Sequence, residues 1–319
     1  MNKPTILSVD LGGTKILIGE VDQSGQVLSQ VRYTSDVSSQ PAALLKIKTA
    51  IEQYLTNEQP QGAIQAISIS AVGRINMATT DWLEIHPKNS QPVNFREALK
   101  DITDLPIYAA NDVNCATIAE QVRGVGQYSS DFIYVNIGTG IAAGTVVGGQ
   151  LLTGSAYDAG EVGHMVVDYH SDQQCVCGRY GCVEPLASGL GMSNQAKLHL
   201  ADYPESSLEV EPNGRISTQQ LMAAYDRHDP LAQFVLDQGL KAAATLLLNL
   251  TYVTNPNTIV LGGGVMSGTW FINHLQPLLQ GEAMRFVKAG AQVTKLNPNL
   301  IALIGAAMSA FNQLKGATL

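Results

Sequence analysis

The sequence predicts an α/β protein built from two similar lobes, and three observations carry that reading. A unit of strand, glycine turn and strand occurs twice, as Ile6–Asp10, Leu11–Lys15 and Ile16–Val21, then as Phe132–Asn136, Ile137–Gly140 and Ile141–Val147. Each second strand runs into a glycine-containing reversal, Asp22 to Gly25 in one copy and Gly148-Gly149 in the other, as a hairpin needs. Helical apolar spacing then alternates with short buried strands. The chain has 319 residues and is 45% hydrophobic, enough for two cores. The two copies lie too far apart for a solenoid repeat, so duplication of a whole domain accounts for them better.

The elements follow in order. Apolar positions recur with helical period over 42–55, 113–122, 186–198 and 231–253, and buried strands are expected at 63–70, 106–109 and 258–261. A last helix over 304–314 is expected to cross back onto the first lobe. The stretch Tyr203 to Arg215 resembles a linker in composition but reads as a surface excursion inside a domain. A net charge of -8, from 19 basic and 27 acidic side chains, argues against nucleic acid and against an anionic membrane surface as partners. No apolar leader with a cleavage site follows Met1, and no run of about eighteen apolar residues occurs, so a reducing, cytoplasmic setting is expected.

Chemistry concentrates first in Cys175-Val-Cys-Gly-Arg-Tyr-Gly-Cys182-Val-Glu184, preceded by Gly160-Glu-Val-Gly-His164. Three closely spaced thiols and an imidazole supply the four ligands that tetrahedral zinc prefers, and Gly178 and Gly181 let the backbone turn tightly around a metal. Disulfides or unpaired core thiols are the plainer readings. A disulfide within the cluster leaves one thiol over unless Cys115 reaches it, and a reducing compartment favours metal. The predicted ligands are His164, Cys175, Cys177 and Cys182, in a closed structural site. Glu161 and Glu184 are then carboxylates held beside the metal without being needed by it.

The glycine turns are candidate phosphate cradles, because main-chain amides can approach an anion where no Cβ intervenes. Gly12, Gly13 and Thr14, followed by Lys15, form one such turn; Gly138, Thr139 and Gly140 form a second; Gly262, Gly263 and Gly264, after a strand, form a third. Each alone is an ordinary tight turn, and three at strand ends point to nucleotide. Gly138-Thr-Gly-Ile-Ala-Ala143 satisfies a dinucleotide fingerprint, but β-like residues follow where a helix must begin. Lys15 lies outside a P-loop pattern. Asn111-Asp112 precedes the second helix, where either residue can serve as its cap; a carboxylate there is also kept ionised and can accept a hydroxyl proton.

Taken together, Asp10-Leu-Gly-Gly-Thr-Lys15, Asn111-Asp112, Gly138-Thr-Gly140, Gly160-Glu-Val-Gly-His164, Cys175-x-Cys-Gly-x-x-Gly-Cys182-x-Glu184 and Gly262-Gly-Gly264 resemble the sugar kinases of the ROK family, within the actin-like ATPase superfamily, over essentially the whole chain. The resemblance implies two ribonuclease-H-like lobes closing over ATP and a hexose, one formed by 1–115 with 303–319 and the other by 116–302. It implies Asp112 as catalytic base, Asn111, Glu161, His164 and Glu184 as sugar contacts, Asp10 as the residue that places Mg²⁺, a structural Zn²⁺, and a homodimer. Asn89 is a further expected sugar contact, from Ser70-Ala-Val-Gly-Arg-Ile-Asn76 and His86-Pro-Lys-Asn89, which look closer to N-acetylmannosamine kinases than to glucokinases; for Arg74 and Asn89 a plain surface loop is the competing reading. Phosphorylation of a hexose or N-acetylhexosamine, at its 6-hydroxyl, is therefore expected. A non-catalytic sugar-binding protein is the alternative. Sugar-responsive repressors of the same family carry an N-terminal DNA-binding domain, for which a first strand starting at Thr5 leaves no room.

Overall fold

The computed structural model describes residues 3–85 and 90–316 and divides into two compact units. The first comprises the chain up to Ser130, Gly148–Ala159, and the chain from Lys295; the second comprises Asp131–Val147 and Gly160–Thr294. The boundaries differ from the expected 115/116 and 302/303.

In the first unit, β1 (Pro4–Leu11), β2 (Lys15–Asp22), β3 (Val27–Thr34), β4 (Ala63–Ala71) and β8 (Ile107–Asn111) form a sheet in the order β3-β2-β1-β4-β8. The β1–β2–β3 meander is antiparallel, whereas β1, β4 and β8 are parallel. Helix α1 (Gln40–Asn57) starts at Ser39, whose side chain accepts from the Ala42 amide, with Pro41 in the first turn where its missing N–H costs nothing. It buries Ile47, Ile51 and Tyr54 against the sheet. A small sheet of β5 (Arg74–Asn76), β6 (Asp81–Glu84) and β7 (Val93–Asn94), with helix α2 (Phe95–Leu99), carries Trp82 and Phe95, stacked at 5.4 Å in the same core. Helix α3 (Asp112–Arg123) follows β8 directly.

The second sheet repeats the design. Strands β9 (Phe132–Ile137), β10 (Ile141–Val147), β11 (Gln150–Leu151), β12 (Thr258–Gly262) and β13 (Ala291–Val293) take the order β11-β10-β9-β12-β13, the same pattern of neighbours as in the first. Strands β9 and β10 are antiparallel, while β9, β12 and β13 are parallel. Gly148 and Gly149 at the hairpin both have positive φ, 57° and 78°. Helices α4 (Val183–Ala187), α5 (Gly189–His199), α6 (Thr218–Tyr225), α7 (Pro230–Thr254) and α8 (Trp270–Leu275) supply the rest of the unit. The expected helix over 186–198 is two helices. Ser188 has extended backbone and its hydroxyl caps α5 at the Gly191 amide. The long helix α7 starts at Asp229, whose Oδ1 accepts from the Leu231 and Ala232 amides while the carboxylate also ties down Ser206 and Ser207 of the preceding excursion. Gly239 inside α7 makes room: a Cβ there would lie 3.0 Å from the Leu186 carbonyl oxygen.

The last helix, α9 (Ile301–Leu314), belongs to the first unit. Buried hydroxyls of Ser8 on β1 and Ser68 on β4 donate to the carbonyls of Leu303 and Ala306, at 2.6 and 2.7 Å. Its close neighbour is α3. A Cβ on Gly305 would lie 1.6 Å from the Cys115 carbonyl oxygen, so the two helix backbones touch. That contact keeps α3 in the first unit and explains why the unit runs past residue 115. Among the described residues, no helix is long and apolar enough to cross a membrane. Gly305→Ala gains helix propensity of about 1 kcal/mol but forces these backbones apart, at a typical overpacking cost of about 1–3 kcal/mol. The expected outcome is a net loss of stability in urea unfolding; an unchanged midpoint would contradict the contact.

Candidate active site

In the first unit the parallel strands deliver their chemistry at one level. Asp10 on β1 pairs in register with Ser70 on β4, and Ser70 with Ala110 on β8, one and two residues before Asn111 and Asp112. These are carboxyl ends of parallel strands, where open α/β sheets bind ligands. The Ser70 hydroxyl, fully buried, donates to Asp10 Oδ1 at 3.1 Å. Burial, reinforced by the negative charge of Asp112, pushes Asp10 up to about 6 despite that bond and the nearby Lys15. Burial likewise raises Asp112, opposed by backbone amides at the start of α3; the Val113 amide donates to its Oδ1 at 3.0 Å. The two carboxyl groups thus disfavour each other's ionisation.

Asn111 is the cap of α3. Its Oδ1 accepts from the Val113 and Asn114 amides, at 2.8 and 3.2 Å, and its Nδ2 donates to the Gly73 carbonyl at 2.9 Å. The capping reading therefore applies to Asn111, which also anchors the loop into β5. Gly73 has φ of 91°, and a Cβ there would meet the Glu84 carbonyl oxygen at 2.1 Å. Arg74 is engaged by Glu84 at 3.2 Å. Asn89 lies outside the described residues. Gly12, Gly13 and Thr14 form the turn between β1 and β2, closed by the Gly12 amide donating to the Lys15 carbonyl at 2.9 Å; Lys15 Nζ donates to Asn299 Oδ1 at 3.4 Å.

In the second unit the thiol loop closes on His164. His164 Nδ1 lies 3.3 Å from Cys175 Sγ, and Cys177 Sγ lies 3.7 Å from Cys182 Sγ. Ligand atoms of His164, Cys175 and Cys177 fall within 4.8 Å of one another. Tetrahedral zinc with bonds of about 2.3 Å to sulfur sets its sulfurs about 3.8 Å apart, which the Cys177–Cys182 spacing matches, although the converging group comprises His164, Cys175 and Cys177 and does not include Cys182. Gly178 and Gly181 have φ of 88° and 75°; at Gly181 a Cβ would strike the Asp168 carbonyl oxygen at 1.8 Å. All four cysteines are free thiols, and burial pushes Cys182 up to about 12. Metal uptake by such thiols releases protons. The other imidazole nitrogen, Nε2, is 3.9 Å from Glu161 Oε2, so the two ring nitrogens of His164 face different chemistry.

Residues 160–164 are fixed along β10. The Ala143 amide donates to the Gly160 carbonyl at 2.8 Å, and a Cβ on Gly163 would lie 2.3 Å from the Ile141 carbonyl oxygen. The turn Gly138–Gly140 is bound to α5 by the Gly189 amide donating to Gly138 O at 2.8 Å and the Leu190 amide to Thr139 O at 3.3 Å. Gly263, with φ of 91°, brings the third glycine turn against the same place: a Cβ there would lie 2.4 Å from Ile137 O. A cavity of about 270 Å³ opens here, lined by Gly138, Thr139, Gly264 and Val265 together with Gly189, Ser193, Glu211, Arg215 and Thr218. Sequence reasoning missed this second group. Its one available signal was the pair of glycines, Gly189 and Gly191, opening a helix. It also missed Ser70, one of two serines near the carboxyl end of β4.

The ROK family model matches residues 6–312. An N-acetylmannosamine kinase of Salmonella arizonae is 30% identical over 87% of this chain and 89% of its own length, and a glucokinase of Halalkalibacterium halodurans is 26% identical over 90% and 88%. Among solved structures, a ROK family glucokinase from Streptomyces griseus in complex with glucose and AMPPNP superposes with a TM-score of 0.76 at 26% identity, covering 95% of this chain and 98% of that one. With its two like-ordered sheets, its His/Cys loop and a family match spanning nearly its whole length, this chain belongs to the ROK family.

Proposed function

We propose that the protein is an ATP-dependent sugar kinase that phosphorylates the 6-hydroxyl of a hexose or N-acetylhexosamine, with Asp112 as general base. The observation that carries this reading is the row of Asp10, Ser70 and Asn111-Asp112 at the carboxyl ends of three paired parallel strands. Kinase relatives over most of the chain support it, including a glucokinase structure that holds both glucose and an ATP analogue.

Phosphoryl transfer asks for positioning and for neutralisation of charge on the moving group. Asp112 takes the proton from the attacking hydroxyl; burial raises its pKa, which makes it a stronger base than an exposed carboxylate, and the amides at the start of α3 oppose that rise. Asp10, steadied by Ser70, is the residue that would hold Mg²⁺, which when bound shields the phosphate oxygens. The amide-rich turn at 12–14 in the first unit, with the positive charge of Lys15 after it, and the turns at 138–140 and 262–264 in the second are each suited to phosphate. The cavity beside Gly138 and Gly264 takes the nucleoside. Asn111 in the first unit, and Glu161, His164 through Nε2 and Glu184 in the second, are assigned to sugar hydroxyls, and polar contacts of this kind reject isomers that leave a member unpaired. His164, Cys175, Cys177 and Cys182 are the residues that would hold a structural Zn²⁺, which would brace the loop that carries Glu184.

Asp112→Asn is expected to bind sugar as the parent does, by calorimetry, while turnover falls at least about 100-fold; a variant that phosphorylates normally would remove Asp112 from its role. Protonated Asp10 cannot hold a cation, so turnover is expected to fall as pH drops through about 6, and raising Mg²⁺ should move that limb to lower pH. An acid limb indifferent to Mg²⁺ in rate profiles would contradict the assignment. Cys177→Ser is expected to purify with well under one zinc per chain and to melt earlier, as closed zinc sites contribute apparent folding free energy on the order of 10 kcal/mol. Elemental analysis and calorimetry check this, and a full zinc complement in the variant would refute it.

A further inference from the structure

The turn 138–140 and the hydroxyl-reading segment are joined by one side chain. Glu184 Oε2 accepts from the Ile141 amide at 2.9 Å, the first residue past the turn. The same oxygen sits where Cβ atoms would otherwise be: a Cβ on Gly140 would lie 2.7 Å from it, and one on Gly163 would lie 3.1 Å from it. Two glycines, one in the phosphate turn and one beside His164, are thus the walls of a seat for this carboxylate. Glu184 itself is placed by the thiol loop, because Cys182 immediately precedes α4 and the Val183 amide donates to the Met165 carbonyl at 3.0 Å. The carbonyls of Gly138 and Thr139 are tied to α5, and Glu184 ties the amide of Ile141, so the turn is pinned at both ends with the Thr139 and Gly140 amides between.

We propose that Glu184, beyond contacting sugar, is a positioning residue for nucleotide: through Oε2 it latches the 138–141 turn into its phosphate-accepting shape. This rests on the kinase reading above. A charge-assisted bond from a backbone amide to a carboxylate is stronger than a neutral one, and its loss unpins the Gly140–Ile141 end of the turn, where glycine permits other conformations. One oxygen serves the turn while the other remains to accept from a hydroxyl.

Glu184→Gln and Glu184→Ala separate the two duties, since glutamine keeps an oxygen for the Ile141 amide and alanine keeps none. Three measurements are made on the full zinc-loaded chain: hydrogen exchange of peptides covering 137–144, calorimetric binding of Mg²⁺·AMPPNP without sugar, and zinc content. The alanine variant is expected to lose exchange protection at 137–144 and to bind AMPPNP about tenfold or more weakly. The glutamine variant is expected to keep both within about threefold of the parent, and both variants to keep zinc. Parent-like protection and AMPPNP affinity in a zinc-loaded alanine variant would overturn the latch, as would equal losses in the two variants. Exchange loss confined to the alanine variant, with a parent that binds no AMPPNP, would instead overturn the kinase reading and with it the nucleotide role of the latch.

Discussion

Parallel pairing in register is the constraint on which the candidate site depends. Strands β1, β4 and β8 run the same way and pair without offset at their carboxyl ends, so residues far apart in sequence arrive at one level: Asp10, Ser70, then Asn111 and Asp112. A one-residue slip of β4 would turn Ser70 to the other face and leave Asp10 without its hydroxyl partner. The second unit obeys the same constraint, with Gly262 paired opposite Asn136, so the glycine turns after β9 and β12 emerge together. The repeated strand order is therefore the means by which each unit presents one row of loops.

Within the second unit, glycine functions mainly as absent volume. Gly160 and Gly163 bring the segment carrying Glu161 and His164 onto β10, Gly181 closes the thiol loop on Asp168, and Gly140 with Gly163 admits the Glu184 carboxylate. The metal-type loop and the phosphate-type turn, which read as separate motifs, are one packed structure in which a side chain at Glu184 takes the place that two Cβ atoms would fill.

Much of this was legible in the sequence because the signals are local. A strand, glycine turn and strand can be recognised within some fifteen residues, and the spacing of Cys175 to Cys182 after His164 marks a cluster of potential metal donors, of which His164, Cys175 and Cys177 converge. The strand duplication, the return of α9 and the excursion before α7 follow from the same kind of pattern. What escaped depends on cap geometry or on distant contacts. Helical spacing across 186–198 runs unbroken through Ser188, yet the serine ends one helix and caps the next. The reach of the first unit past residue 115 is set by Gly305 lying on Cys115, and the bond from Ile141 to Glu184 spans two motifs with no period linking them. At Asn111, residue type showed both capping and binding capacity, and only the local geometry reveals how heavily the cap and the Gly73 tie use the side chain.

The central claim is that these groups together move a phosphoryl group from ATP to a sugar hydroxyl. The most direct test is to incubate the purified protein with ATP and Mg²⁺ and each of glucose, mannose, N-acetylglucosamine and N-acetylmannosamine, and to follow the products by phosphorus NMR and mass spectrometry. The account predicts that at least one sugar gains a single phosphate, as a 6-phosphomonoester, with stoichiometric formation of ADP. Retention of every sugar unmodified, with ATP intact under conditions where the nucleotide and a sugar are both bound, would contradict it.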